Sequence, residues 1–436
     1  MIPTNRFVVL LVISGLVVGL SGLLGVLWPL GIALTALTMA LAVADGVALR
    51  RLGTPEIRRY VDEKLSLGTE NIVRLRIENR SQHPIAGRIR DEYPEDFNSS
   101  SNVLKLDLPS RSDIELTYKF TPPHRGDYVF GDVYLRLRGP MGFLMRQIRC
   151  PMRQEVKVYP NLLDLRRYDI SIRRERLMQP GLRSAKVYGR GTDFESLREY
   201  MPDDEFRAID WKASARLNKL VSRQYQLERS QNVMVVVDCG RVMGPVIGGL
   251  SRLDWGINAG MMLAHVAIAR GDKVGLMAFA DQVTAFSTPK SGKSQALNLL
   301  RSTYNLRSAE GDSNYSRAFP FFARKCSRRS LVVIFTELTD PEASRPLISQ
   351  IVSLSRKHLC VVVTMADPDV LTASNAEPNT VQDAYRAAVA KQVIRSRQLA
   401  AAEVVKSGAI VLDVLPDKFS PTVVDEYLKV KASGRL

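Results

Sequence analysis

The chain has 436 residues, and its 61 Lys and Arg against 45 Asp and Glu give a net charge of +16 at pH 7. This length is sufficient for two or three domains with their own cores. The cysteines (Cys150, Cys239, Cys326 and Cys360) are far apart and include no CxxC pair, and the histidines include no HExxH motif. The counts therefore argue against a disulfide framework and a histidine-based zinc site, and they favour buried, reduced thiols.

The amino terminus is strongly apolar. Between Phe7 and Leu49 the only charged residue is Asp45. This stretch is too long for one membrane span and long enough for two spans of about 20 residues each, and Trp28-Pro29 predicts a tight turn between them. We therefore predict a transmembrane helical hairpin over residues 1–52, with Asp45 close enough to the end of its helix to reach the lipid headgroups.

Basic residues flank the apolar stretch on both sides. Arg6 precedes it, and four arginines follow between positions 50 and 59. The positive-inside rule then places both ends, and everything after residue 50, in the cytoplasm, with the hairpin in the inner membrane. The alternative is secretion, because Ala42-Val43-Ala44 resembles a signal-peptidase site. The apolar region before it is much longer than the roughly 7–15 residues of a signal sequence.

Residues 53–160 show short runs in which apolar and polar side chains alternate. The clearest runs lie at residues 73–77, 114–120 and 133–137, with turn-forming clusters between them. Period-two alternation with frequent turns is typical of antiparallel strands that have one buried face and one solvated face. We predict a small β-sandwich here.

Residues 161–230 are polar, with basic and acidic residues interleaved and several aromatic residues among them. Two interpretations stay open: an arm that wraps the next domain, or a recognition surface in which Arg and aromatic side chains bind a protein partner. The excess of basic residues is small and no nucleic-acid-binding motif is present, so we expect no nucleic-acid partner. The candidate partner surface consists of Arg190, Asp193, Phe194, Arg198, Tyr200, Arg207, Asp210, Trp211 and Arg216.

From residue 231 to residue 436, apolar strands alternate with helical stretches. Such alternation predicts an α/β domain with a doubly wound, mostly parallel sheet. Asp281-Gln282 predicts a turn to an antiparallel edge strand at Val283–Phe286. We place the parallel strands at residues 233–238, 273–280, 330–336, 359–364 and 410–415, and the helices at 254–270, 292–307, from 341, 381–405 and from 421.

Residues 287–294 nearly match a phosphate-binding loop. Ser287 replaces the first glycine of that motif, and Pro289 has no N–H group to give to a phosphate. We predict instead a helix start that Ser291 caps, with Lys293 in solvent and no bound nucleotide.

Asp238 ends the apolar run that begins at Val233. Open α/β sheets bind their ligands at the carboxyl ends of such strands. A hydroxyl in a second loop, Ser313, and an acid after a third strand, Glu337, complete a pattern that resembles a von Willebrand factor A domain. The resemblance implies the fold of that domain for residues 231–436.

The segment before this domain narrows the resemblance. It contains Gly189-Arg190-Gly191-Thr192-Asp193-Phe194, then Leu197-Arg198-Glu199-Tyr200, then Arg207-Ala208-Ile209-Asp210-Trp211-Lys212-Ala213-Ser214-Ala215-Arg216. These motifs look like the signature of domain of unknown function family 58. The resemblance implies a membrane-anchored protein with no established activity. It also implies a binding or assembly role with a MoxR-type AAA ATPase, because family members are commonly encoded beside such ATPases.

The adhesion-type metal site of A domains uses Asp-x-Ser-x-Ser, a Thr from a second loop and an Asp from a third. Here Gly240 and Val242 stand at the two serine positions, and Glu337 replaces the last Asp. Mg²⁺ prefers hard oxygen ligands, so two of its ligands are missing. The resemblance therefore implies a degenerate site, formed by Asp238, Ser313 and Glu337, that we expect to be empty.

We expect Arg241 to pair with Asp238 or Glu337 instead of a metal ion. The sequence has no GxSxG motif and no Cys–His pair at a catalytic spacing. We predict a non-enzymatic interaction protein without a cofactor. The alternative is a divalent-metal-dependent hydrolase, or a metal-dependent ligand-binding A domain, that holds Mg²⁺ with Asp238, Glu337 and Ser313.

Overall fold

The computed structural model describes residues 1–20, 28–99, 103–161, 188–201, 206, 209–226 and 230–434, with the backbone alone for residues 188–198 and 223–226. The chain forms two compact units, Met1–Leu162 and Leu163–Leu436. Each unit has its own set of buried apolar side chains.

The first unit begins with a short strand, β1 (Ile2–Pro3), and two apolar helices, α1 (Asn5–Leu20) and α2 (Trp28–Arg51). The 24-residue α2 is long and apolar enough to cross a membrane, whereas the described α1 has 16 residues. The predicted turn at Trp28-Pro29 is wrong, because both residues lie in the first turn of α2. Proline is tolerated there, since the first N–H groups of a helix have no partner within the helix.

The two helices pack closely and expose apolar side chains on their outer faces. A Cβ atom at Gly31 would lie 2.6 Å from Cγ2 of Val18, so α2 approaches α1 where it has no side chain. Exposed apolar side chains on α1 include Val12 and Leu16, and those on α2 include Leu37 and Val43. Exposed apolar surface of this extent marks a site of contact with a membrane or another protein.

The rest of the first unit is built from antiparallel strands in two larger sheets, ordered β1-β11-β10-β5-β7 and β2-β4-β8-β6, and a small sheet, β3-β12-β9, in which only β3 and β12 are parallel. In β4, Val73, Leu75 and Ile77 are buried and the charged residues between them are not, which confirms the predicted alternation. The strands are β2 (Glu56–Tyr60), β3 (Lys64–Ser66), β4 (Asn71–Asn79), β5 (Ile85–Asp91), β6 (Asn98–Ser99), β7 (Val103–Leu108), β8 (Ser112–Thr121), β9 (Gly126–Phe130), β10 (Val133–Arg138), β11 (Leu144–Cys150) and β12 (Gln154–Tyr159).

Asp45 joins α2 to the loop between β10 and β11. Its carboxylate is fully buried and accepts hydrogen bonds from the backbone N–H groups of Met141 (2.9 Å), Phe143 (2.8 Å) and Leu144 (2.9 Å). A Cβ atom at Gly139 would collide with this carboxylate. The prediction that Asp45 reaches lipid headgroups is therefore wrong, because three fixed backbone donors hold its charge inside the first unit.

The described part of the second unit starts with a hairpin, β13 (Tyr188–Glu199) and β14 (Val221–Gln226), which encloses the short helix α3 (Trp211–Leu217). The helix begins at Asp210, whose side chain accepts hydrogen bonds from the N–H groups of Lys212 and Ala213. Ser214 Oγ, on the buried side of α3, accepts a hydrogen bond from the N–H of Val221 at 2.9 Å. The helix is thus fixed to the hairpin by polar contacts.

The main sheet of the second unit has six strands in the order β19-β18-β15-β20-β21-β22. All neighbours are parallel except β19, which pairs antiparallel with β18 and confirms the predicted edge strand. Its strands are β15 (Asn232–Asp238), β18 (Lys273–Phe279), β19 (Val283–Lys290), β20 (Leu331–Phe335), β21 (Leu359–Met365) and β22 (Ile410–Val414), and a small separate hairpin is formed by β16 (Val246–Ile247) and β17 (Leu250–Ser251).

Helices cover both faces of this sheet, as the alternating pattern predicts. One face packs against helices that bury Leu263, Leu299 and Tyr427, and the other against helices that bury Phe322 and Ile351. The first group is α4 (Arg252–Ala269), α5 (Lys293–Tyr304) and α10 (Phe419–Ala432); the second is α6 (Tyr315–Lys325), α7 (Pro341–Ser355) and α9 (Val381–Lys406), and α8 (Pro368–Asn375) precedes α9.

Three local features differ from the sequence predictions. Helices α6 and α8 were not predicted. Asn314 and Asp367 cap their first turns, and Asn and Asp are among the preferred residues at this position. Helix α5 is capped at Gly292 with no side-chain hydrogen bond, so the predicted Ser291 cap is wrong. The φ angle of Gly292 is +94°, a conformation that suits glycine and turns the chain from β19 into the helix.

The cysteines of the second unit are buried, as predicted. Cys239, Cys326 and Cys360 lie in apolar surroundings. Burial raises the pKa of both the Cys326 and the Cys360 thiol to about 11, so these groups stay protonated at neutral pH. A protonated, enclosed thiol is a poor nucleophile and a poor metal ligand.

Candidate functional site

Asp238 lies at the carboxyl edge of the main sheet, between β15 and β20. Counted within the sheet, the strand order is 3-2-1-4-5-6, and β15 and β20 are strands 1 and 4 of that order. Chain connections leave these two strands in opposite directions, which opens a crevice where ligands of doubly wound proteins bind. The Asp238 side chain has no exposure to solvent.

Four hydrogen-bond donors surround the Asp238 carboxylate. Oδ1 accepts from the backbone N–H of Gly240 at 2.8 Å and from the hydroxyl of Ser313. Oδ2 accepts from the hydroxyl of Tyr315 at 2.7 Å and from that of Thr336 at 2.6 Å. The charge of a buried carboxylate needs such donors to replace water. Asp238 is therefore a satisfied structural acceptor.

Tyr315 stays protonated in this arrangement. Burial and the neighbouring charge of Asp238 both raise the pKa of its hydroxyl well above the usual value. The ring lies at the start of α6 and contacts Phe279 edge to face, with the ring centroids 5.7 Å apart. Tyr315 is thus held in place as a hydrogen-bond donor at neutral pH.

The residues around Asp238 do not fit a Mg²⁺ ion. Gly240 has no side-chain oxygen, and a Cβ atom at this position would collide with Ser313 Oγ. The hydroxyls that could serve as ligands instead donate to Asp238, which leaves each carboxylate oxygen with two hydrogen bonds. Mg²⁺ requires six oxygen ligands in near-octahedral geometry. Among the residues that the structure describes, no group of three or more His, Cys, Asp or Glu side chains is placed to hold a metal ion.

Glu337 follows β20 and is held by contacts of its own. Its Oε1 pairs with Nη1 of Arg397 and accepts a hydrogen bond from Thr364 Oγ1 at 3.2 Å. Its Oε2 lies 3.5 Å from Nε of Arg252, without hydrogen-bond geometry. Of the three predicted site residues, the structure therefore brings Asp238 and Ser313 into direct contact and places Glu337 in a separate ion-pair network.

The Arg397 side chain links α9 to the carboxyl edge of the sheet. Its Nη2 donates to Thr364 Oγ1 at 3.1 Å, to the Met365 carbonyl at 2.9 Å and to Asp413 Oδ1 at 2.9 Å. Burial lowers the pKa of Arg252, the other guanidinium beside Glu337. Sequence reasoning missed both arginines. The available signal was that Arg397 lies three residues before the buried Ala400 and seven before the buried Val404, on the core-facing side of α9.

Arg241 pairs with neither predicted partner. Its guanidinium contacts Asp312, with Nη2 and Oδ1 3.1 Å apart, and both side chains are largely exposed. The prediction of a pair with Asp238 or Glu337 is wrong. Hydroxyl and amide donors already bind both oxygens of Asp238, and the largely buried arginines Arg252 and Arg397 lie beside Glu337. A surface pair of this kind contributes little to stability.

The predicted partner surface is described only in part. Arg207 lies outside the described residues, and of Arg190, Asp193, Phe194 and Arg198 only the backbone, in β13, is described. Tyr200 is half-buried, Arg216 is exposed, and Asp210 is the cap of α3. The side chain of Asp210 thus has a structural role in the helix start.

Exposed apolar side chains gather around α3. Trp211 is 58% exposed and Phe206 is 68% exposed, and their rings meet edge to face with centroids 5.5 Å apart. The N–H of Tyr200 donates to the Leu220 carbonyl at 2.9 Å, so the chain on either side of α3 meets there. We define the α3 surface as the exposed side chains Met201, Phe206, Trp211, Leu217 and Leu220.

The second unit is thus a mixed α/β unit whose carboxyl edge holds a hydrogen-bonded aspartate, and the first unit is rich in β-strands. Residues 196–401 match the family model described as "Protein of unknown function DUF58". The matched range begins in β13 and ends in α9. It therefore includes the α3 surface, Asp238, Ser313, Glu337 and Arg397.

One relative and two solved structures are similar to short parts of the chain. A Bacillus subtilis protein described as "Uncharacterized protein YeaD" is 26% identical over 125 residues, which are 28% of this chain and 30% of that protein. The chain thus matches less than a third of this relative's length. A CARDB domain from Pyrococcus furiosus (12% identity, TM-score 0.19) and a cohesin module from Clostridium perfringens (14%, 0.17) each match 24% of this chain, over 93% and 96% of their own lengths. Similarities with TM-scores this low do not establish a shared fold.

Proposed function

We propose that this protein is a membrane-anchored, non-enzymatic interaction or assembly factor. Its α/β unit is a von Willebrand factor A-like domain without a bound metal ion, and its partner is a protein, a MoxR-type AAA ATPase. Two membrane spans hold both units on the cytoplasmic side of the inner membrane.

Membrane anchoring is supported by the two amino-terminal helices. Their outer faces are apolar and exposed, and α2 has Arg50 and Arg51 in its last turn. The start of α1 and the end of α2 meet the same hairpin, because β1 pairs with β11 and Asp45 binds the loop before β11. If both helices cross a membrane, the start of α1 and the end of α2 lie on the same side of it. The arginines at these ends favour the cytoplasmic side.

The A-type fold is supported by the order of the six strands and by the convergence of three chain segments. The antiparallel strand, β19, is the third strand of this sheet in chain order and lies at one edge of the sheet. Asp238, Ser313 and Thr336, from three separate segments of the chain, meet at the carboxyl edge. In this arrangement the hydroxyls donate to the carboxylate, which favours a rigid scaffold over a catalytic centre.

The observation that carries the interaction role is the α3 surface. Trp211 and Leu217 are exposed although α3 itself is capped and tied to the hairpin, so these two side chains stand on a helix that is fixed in place. Phenylalanine, tryptophan and arginine are enriched at protein interfaces, and tryptophan and arginine often dominate the binding energy there. A partner that covers Phe206 and Trp211 would remove this apolar area from water.

The test is affinity capture of the full chain from detergent-solubilised membranes in a buffer that contains ATP. We expect the wild type to recover a MoxR-type AAA ATPase, and the Phe206→Ser/Trp211→Ser variant to recover about tenfold less or lower. Leu297→Ser is the matched control, because Leu297 is an exposed leucine on α5, away from α3 in sequence. Recovery of no ATPase by the wild type, or equal recovery by both variants, contradicts the proposal.

A further inference from the structure

The first unit contains a cavity of about 990 Å³ beside the carboxyl-terminal end of α2. One wall is α2 itself, and the opposite walls are the loop between β10 and β11 and the chain around His83. Specific small-molecule sites have volumes of roughly 300–1,000 Å³. The cavity is therefore large enough for a lipid headgroup with its glycerol.

Three arginines from three separate segments line this cavity: Arg6 at the start of α1, Arg51 at the end of α2 and Arg138 at the end of β10. Thr4 brings the first segment to this place, because its N–H donates to the Phe143 carbonyl at 2.9 Å and its hydroxyl to the Gly142 carbonyl at 2.7 Å. The local charge is thus produced by the tertiary structure.

Basic side chains outnumber acidic ones around this cavity, although the buried carboxylate of Asp45 lies directly beneath the lining residue Gly139. Asp107 is the one acidic side chain among the lining residues that the structure describes. Across the described part of the chain, Arg6, Arg51 and Arg138 are exposed and form no ion pair with a carboxylate. Guanidinium groups that converge on an open space are typical of binding sites for phosphate oxygens.

The remaining wall is apolar and continues onto the membrane-facing surface of α2. Ala44, Val47 and Ala48 line the cavity, and Val47 and the preceding Val43 are exposed on the outside of the helix. A free phosphate ion would make no favourable contact with this apolar wall. An acyl chain that leaves a bound headgroup could follow it along α2 into the bilayer.

We propose that this cavity binds the headgroup of an anionic phospholipid. The phosphodiester lies among Arg6, Arg51 and Arg138, and an acyl chain lies along Ala44 and Val47. The inference rests on the membrane anchoring proposed above. It adds a specific lipid ligand, held where α2 leaves the membrane, to a helix pair that otherwise serves only as an anchor.

The test uses the full chain, purified in a mild detergent and titrated with phosphatidylglycerol or phosphatidylcholine of the same acyl chains. Native mass spectrometry measures the affinity of the first bound lipid. We expect phosphatidylglycerol to bind about tenfold more tightly than phosphatidylcholine, because both lipids carry the phosphodiester and only phosphatidylcholine also carries a quaternary ammonium that the three arginines repel. Arg138→Gln should weaken the binding of both lipids and remove most of the preference, because part of the positive charge that repels the ammonium is lost.

Arg136→Gln is the matched control. Arg136 is an exposed arginine of the same strand that lines a different cavity and donates to Gln147 at 2.9 Å. Equal binding of the two lipids, or equal loss in both variants, overturns the inference. Complete displacement of phosphatidylglycerol by millimolar inorganic phosphate also overturns it, since that result assigns the arginines to a soluble anion.

A separate measurement distinguishes this inference from the anchoring on which it rests. Membranes that contain the wild-type chain are washed with alkaline carbonate. Release of the chain contradicts the anchoring itself. Retention of the chain together with equal affinity for the two lipids contradicts the lipid site alone.

Discussion

Asp238 illustrates how hydrogen-bond donors of the protein hold a buried carboxylate in place. It loses all contact with water, and three hydroxyls and one amide N–H take the place of the water molecules. Gly240 is required beside it because Ser313 occupies the space of a Cβ atom. The hydrogen bonds from these groups offset the free-energy cost of burying the charge. They also hold this edge of the sheet rigid.

Removing the carboxylate is expected to destabilise the protein. Asp238→Ala leaves a buried amide N–H and three hydroxyls without their acceptor, together with a cavity, and we expect it to lower the free energy of unfolding by about 3 kcal/mol. Asp238→Asn is expected to cost only about 1 kcal/mol, because the hydroxyls of Tyr315 and Thr336 can turn to accept from the new amide. Thermal unfolding of the full chain in detergent measures both. Equal losses in the two variants would show that these donors do not explain the burial of Asp238.

Divalent metal ions are expected to leave stability unchanged. A site that binds Mg²⁺ or Mn²⁺ would stabilise the folded state by about 2.7 kcal/mol at a hundredfold excess over its Kd. The donors around Asp238 do not fit either ion, so we expect the same Tm with EDTA, Mg²⁺ or Mn²⁺. A rise in Tm that is present in the wild type and absent in Ser313→Ala would instead support the metal-dependent alternative.

At the scale of elements, the contact between α2 and the β10–β11 loop is the main polar link between the helices and the strands of the first unit. Three backbone N–H groups point at one side chain, and backbone N–H groups cannot become acceptors. The side chain at position 45 must therefore accept all three hydrogen bonds. The hydroxyls around Asp238, by contrast, can also accept a hydrogen bond from a neutral amide.

We expect Asp45→Asn to loosen the β10–β11 loop. The new amide group would face at least one N–H group, with a cost of about 1–3 kcal/mol, so the loop should open roughly tenfold more often or higher. Limited trypsin digestion of the full chain in detergent measures this as faster cleavage after Arg138. Asp107→Asn is the control, because Asp107 is exposed and lines the same cavity. The same cleavage rate in both variants would contradict the structural role of Asp45.

At the scale of the whole molecule, we predict that both units lie on the cytoplasmic side of a membrane. The outer ends of α1 and α2 meet the same hairpin, and the basic residues lie at these ends. A green fluorescent protein fused after Leu436 in a bacterial host should therefore fluoresce. An alkaline phosphatase fused at the same position should be inactive. Active phosphatase would place the units outside the cytoplasm and would exclude an ATPase partner there.

Much of the fold was predictable because its signals are local. The alternation at residues 73–77 gave β4, and the valine-rich run that ends at Asp238 gave β15. Helix α6 was missed because Pro320 lies inside it and because it is only 11 residues long. A short helix of this kind is stabilised by packing against the sheet, and packing is not visible in a short stretch of sequence.

The sequence by itself determined that Asp238 ends a buried strand and that Gly240 and Val242 lack the oxygens of a metal site. Only the tertiary structure decided what surrounds the charged groups. Thr336 is 98 residues from Asp238, Arg397 is 60 residues from Glu337, and Met141 is 96 residues from Asp45. Periodicity reports which face of an element is buried, because that depends on neighbouring residues in the chain. The partner of a buried charge depends on which distant element is folded against it, and no local pattern records that choice.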